Sequence, residues 1–181
     1  MTVHSIVLFL HLAGALALFI GYGLEWTVSA LLGKAETSEQ VRAWLRVLKV
    51  SPPLSGAGLG VVILSGGYLA SLIGAMQQGW IPAALLGIFV ALALGFVAVL
   101  PRMRRLRLAL PAGNEPVSPE LHARLADPVL LTAIRVRVLL ATGIVYLMAA
   151  KPALFLPALN VLGIALAVGL LASVPAWSRK A

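Results

Sequence analysis

Five long apolar runs, parted by short polar or proline-marked breaks, dominate the chain. The first, Val3 to Leu32, reads VHSIVLFLHLAGALALFIGYGLEWTVSALL, and it holds two histidines, His4 and His11, and one acid, Glu25. The others are expected at 54–76, 80–100, 128–150 and 153–174. Each has the roughly 20 apolar residues that a spanning helix needs. The runs are continuous and rich in Leu, Ala and Gly, whereas a membrane β-barrel shows short alternating segments. The pattern therefore predicts an all-α polytopic membrane helical bundle: one domain over residues 1–181 with five transmembrane helices.

The breaks carry their own signals. Gly33-Lys34 ends the first run. In 41–50, Val41, Trp44, Leu45 and Leu48 share one helical face while Arg42, Arg46 and Lys49 share another. That is an amphipathic segment suited to the interface, with cations near lipid phosphates, and the alternative is an extension of the second helix. Ser51-Pro52-Pro53 argues for a break there. Ser55, Gly56, Ala57, Gly58 and Gly60 open the second span, and Ala83, Gly87, Ala91 and Gly95 recur every four residues in the third. Both are surfaces for close helix packing. The longest loop is expected over 101–127, with a short surface helix from Ser118-Pro119 through Ala126. Asp127-Pro128 opens the fourth span, Lys151-Pro152 closes it, and the fifth is expected to stop before Pro175.

Composition agrees with this reading and narrows it. The 181 residues are 61% hydrophobic and 11% charged, with mean hydropathy +1.01, outside the range of ordinary soluble domains. No cysteine is present, which removes disulfides, thiolate metal sites and thiol nucleophiles. The net charge of +8 is read as loop bias towards the cytoplasm and not as nucleic-acid binding. With the N-terminus outside, the inner side collects Lys34, Arg42, Arg46, Lys49, Arg102, Arg104, Arg105, Arg107, Arg124, Arg179 and Lys180, and the outer side keeps Lys151. The expected orientation is N-out, C-in, in a bacterial cytoplasmic (inner) membrane. MTVHS lacks Lys and Arg, so the first helix is expected to remain in the mature protein.

Polar residues at membrane depth are costly and so are the candidates for function. In an outer band, His11 lies roughly 10 Å below the start of its helix, with His4 two turns earlier on the same face. Ser65, Tyr68, Thr142, Tyr146 and Asn160 are expected at similar height and could converge with His11 on a pocket. An imidazole there could ligate haem iron, copper or zinc, or be a structural group bonded to Tyr68 or backbone. No other spanning segment supplies a histidine, and His122 belongs to the long loop. An inner band holds Glu25, Arg135 and Arg137. A buried carboxylate and guanidinium are tolerable as a pair, and Glu25–Arg135 is the expected contact, with Arg137 free to snorkel. The pair could be a clamp, or the arginines could bind propionate or anionic lipid headgroups. No phosphate loop, paired carboxylates, Ser–His–Asp set or HExxH is present.

LHLAGALALFIGYGLEW, a histidine followed by small residues and a glycine-rich turn, resembles the first helix of three bacterial families. They are HemJ-like protoporphyrinogen oxidases, CopD-like copper-resistance proteins and an uncharacterised predicted integral membrane family of similar size. The last is the nearest in length and in its basic loops. The HemJ resemblance implies haem b at the first-helix histidine, which maps onto His11. The chain departs from that pattern in its five helices and in GYG at a common GG pair. Three readings follow: a membrane protein binding haem b, or copper, through His11, with Tyr68 or Tyr146 as further contacts, in a redox or haem-handling role; a non-enzymatic scaffold docking partner helices or a second copy of itself; and a small transporter. No reaction is assigned by the sequence.

Overall fold

The computed structural model describes residues 2–178. Arg179 and Lys180, counted above among the basic groups of one side, lie outside the described residues. Helix α1 (Val3–Leu32) is capped by Thr2, whose side chain accepts from the Ser5 amide. It is followed by α2 (Ser38–Leu48), α3 (Ser51–Leu72), a 3₁₀ turn at Ala75–Gln77, and α4 (Trp80–Leu94). A π-helical turn, Gly95–Val99, joins α4 to α5 (Leu100–Leu108). Then come α6 (Pro119–Leu125), α7 (Pro128–Ala150), α8 (Phe155–Leu171) and α9 (Val174–Ser178). Among the described residues every regular element is helical, and five helical stretches are long and apolar enough to cross a membrane.

Several boundaries differ from expectation, each for a local reason. The second span begins at Ser51 and not at residue 54, because Pro52 and Pro53 sit in its first turn, where the missing N–H groups cost nothing. It stops at Leu72, short of 76, and Gly74 takes the left-handed φ of 63° that turns the chain. The third span does not end at 100. It continues through the π turn to Leu108, so Arg102, Arg104, Arg105 and Arg107 ride on a helix and not on a loop. Pro101 lies in the first turn of α5, where the π turn has already shifted the backbone ladder. The fifth span breaks at Ala172-Ser173, and Pro175 lies within α9.

The amphipathic segment is also displaced from its expected role. Thr37 caps α2, and Val41, Leu45 and Leu48 are buried in a protein core, so this apolar face is covered by protein and not by lipid. That core gathers Val28 and Leu32 of α1, Met103 and Leu106 of α5, Leu121 and Leu125 of α6 and Ile134 of α7. It fills the end of the bundle where the basic residues lie. A second core occupies the opposite half, where Ala83, Ala84 and Ala91 of α4 meet Leu140, Ile144 and Leu147 of α7 and Ala158 and Leu162 of α8.

The spanning helices form two units. α1 packs antiparallel along α3, and α7 packs on α8 and α4, while α1 joins the second unit through α7. Small residues allow the α1–α3 approach: a Cβ on Gly58 would lie 2.6 Å from the Gly14 carbonyl oxygen, and one on Gly21 would lie 2.8 Å from the Ser55 Cβ. In α4 the repeating stripe faces inward, with Gly87 against Ile144 and Leu162. The α4 stripe and the Ser55/Gly58 edge of α3 are thus occupied within the chain, while Gly56, Ala57 and Gly60 of α3 stay exposed.

Candidate functional site

Near the basic end, α1, α3, α7 and the π turn enclose a charged centre. Glu25 is 6% exposed and Arg137 7%. One carboxylate oxygen of Glu25 accepts from Nη1 of Arg137, and the other accepts from the Ser51 hydroxyl at 3.0 Å. Ser51 Oγ is also 2.9 Å from the Gly21 carbonyl oxygen. The guanidinium carbon of Arg137 stands 4.3 Å from the centre of the Tyr22 ring, a cation–π contact. On its other side is Gly95, where a Cβ would lie 3.5 Å from the guanidinium carbon. The π turn therefore leaves room for a flat cation against bare backbone. Arg137 Nε has no hydrogen-bond partner.

The partner of Glu25 is accordingly Arg137, and the expected Glu25–Arg135 contact is corrected. Two residues apart on a helix lie about 200° apart around its axis, so only one of the arginines can face α1. Nor does Arg137 snorkel. Arg135 turns away and donates from Nη1 to the Ala172 carbonyl at 3.0 Å, which the break between α8 and α9 exposes. Tyr22 and Ser51 escaped the sequence reading. The available signal was spacing: Tyr22 is three residues before Glu25 and so shares its face.

In the other half, His11 meets one of its expected neighbours. Its Nδ1 is 3.0 Å from Ser65 Oγ, and the Ser65 hydroxyl also donates to the Val61 carbonyl. With the serine proton committed to Val61, the tautomer that satisfies both groups is the one protonated on Nδ1, which leaves a lone pair on Nε2. The ring lies over Gly66, where a Cβ would be 3.0 Å from Cε1. The wider convergence does not occur. Tyr68 and Tyr146 are 40% and 59% exposed, Asn160 is exposed, and Thr142 bonds the Val138 carbonyl of its own helix. His4 is exposed near the start of α1. Among the described residues no three His, Cys, Asp or Glu side chains gather as a metal site.

A third site was passed over. His122, set aside above as a loop residue, lines a cavity of about 750 Å³ at the basic end with Trp26, Lys34 and Arg135.

No curated protein and no solved structure matches the chain. A family model described as "Predicted integral membrane protein (DUF2269)" matches residues 5–152, more than half of the 181 residues. The match runs from α1 through α7 and so includes Glu25, Arg137, His11 and Ser65. On that match, the chain belongs to the DUF2269 family of predicted integral membrane proteins.

Proposed function

We propose that this membrane protein holds haem b through His11, in a redox or haem-handling role, on the flank of the α1–α3 hairpin. The observation that carries the reading is the Val61–Ser65–His11 hydrogen-bond chain. It orients the ring and leaves Nε2 with the lone pair that iron ligation requires, as outer partners of ligating histidines do. His11 would hold the group, beside the exposed apolar residues of this half of α1 such as Leu8 and Leu12. Bound there, haem would supply one-electron chemistry. We place it in a bacterial cytoplasmic membrane, and the charge distribution supports the N-terminus outside: the cations of α2, α5 and α6 share one end, while Lys151 lies at the other. The scaffold reading keeps Gly56 and Gly60 of α3 as an open small-residue face, whereas Gly14, Gly21, Gly58 and Gly87 already pack within the chain.

The test is an absorption spectrum of the protein purified in mild detergent from haem-replete cells. A Soret band is expected, absent in His11→Ala. Ser65→Ala is expected to weaken haem retention about 10- to 100-fold, the usual effect of losing an outer partner. A colourless wild-type protein refutes the assignment.

A further inference from the structure

The cavity at the basic end combines two features that rarely share a lining. Trp26, Ala30 and Leu131 make one wall apolar, while Lys34, His122 and Arg135 bring basic side chains to the same space. Among the described residues no carboxylate lines it. Glu25 is committed to Arg137 and Asp127 to Arg102 at 3.1 Å. Arg135 has no carboxylate within ion-pair distance among the described residues. One donor, Nη1, is bound to the Ala172 carbonyl, which holds the guanidinium in place at the cavity wall, and its other donors have no partner among the described residues. The break between α8 and α9 serves the same cavity twice, because it frees that carbonyl and brings Ala176 into the lining.

We propose that this cavity is a binding site for an anionic phospholipid, with the headgroup phosphate at Arg135 and Lys34 and the upper acyl chain along Trp26 and Leu131. A fixed guanidinium favours a phosphate by charge-assisted, bidentate hydrogen bonding. The apolar wall selects an amphiphile over a free anion. Basic pockets between spanning helices are recognised settings for such lipids. The site is separate from His11 and does not depend on the haem reading.

Native mass spectrometry of the full chain, loaded with phosphatidylglycerol or phosphatidylcholine at matched concentration, tests the site. Wild type is expected to retain phosphatidylglycerol preferentially. A Lys34→Gln/Arg135→Gln protein is expected to lose that retention roughly 30-fold, at about 1 kcal/mol per cation. Arg46→Gln/Arg107→Gln, in a separate basic groove also lined by Arg42 and Lys49, is expected to leave it unchanged. Equal retention of the two lipids, or undiminished phosphatidylglycerol on the Lys34/Arg135 variant, overturns the proposal. Displacement by inorganic phosphate also overturns it, by reducing the cavity to an anion site. Should the variant fail to fold, brominated-chain lipids give a second readout on folded protein. The Trp26 contribution to fluorescence, taken as wild type minus Trp26→Phe, is expected to be quenched more by phosphatidylglycerol, and equal quenching counts against the site.

Discussion

Replacing Glu25 with leucine tests whether the buried ion pair holds the two helical units together. The substitution removes the acceptor of Arg137 Nη1 and of the Ser51 hydroxyl and leaves the guanidinium facing only the Tyr22 ring and Gly95. Arg137 Nε is already unpaired, so no neighbouring group stands ready to compensate. Breaking one side of a buried pair costs about 3–5 kcal/mol, and the cation–π contact with Tyr22 offsets none of it because it is already made in the intact protein. For a chain of this size that loss lowers Tm on the order of 10 °C. Arg137→Leu alone should cost a similar amount, because the carboxylate is then the stranded charge. The double variant should lose less than the sum of the singles by about 2–3 kcal/mol, since apolar groups often replace a buried pair with little penalty. Thermal unfolding in detergent, followed by loss of the monodisperse peak, measures all four proteins. Additive losses, or a Glu25→Leu protein as resistant as wild type, refute the clamp.

Glycine packing supplies further checks. Gly58→Ala is expected to cost about 1–3 kcal/mol, because its Cβ would meet the Gly14 carbonyl at 2.6 Å and the Leu18 amide at 2.8 Å. Gly56→Ala, with open space around it, should be near neutral in the same unfolding assay. If the two behave alike, the close α1–α3 approach is wrong. Gly79→Ala should be at least as damaging as Gly58→Ala: its Cβ would lie 2.2 Å from the Phe155 amide nitrogen, where the turn before α4 crosses the start of α8 and Gly79 donates to the Ala153 carbonyl at 2.8 Å. A wild-type Tm in that variant would contradict the crossing.

The class of this protein and most of its spans are legible in the apolar runs alone. Hydropathy is a property of each segment alone: about 20 apolar residues cannot remain in water, whatever their neighbours do. The turn chemistry at Asp127-Pro128 was equally local, and the Asp127 side chain does accept from the Val129 amide at 2.9 Å. Where a helix ended was less legible, because a π turn and a proline placed in a first turn let α3 and α5 form through residues that usually interrupt helices. The face each helix presents was decided only by tertiary structure. Arg135 and Arg137 are equivalent by composition and depth, and the rotation of α7 against α1 sends one to Glu25 and the other to a cavity. The rotation of α3 against α1 likewise brings His11 to Ser65 and leaves Tyr68 exposed, and that of α7 leaves Tyr146 exposed. Hydrophobic segments choose the membrane by their total apolar area, but a salt bridge or a ligand site depends on helix azimuth, which is set by how glycines such as Gly14 and Gly58 let neighbouring backbones meet.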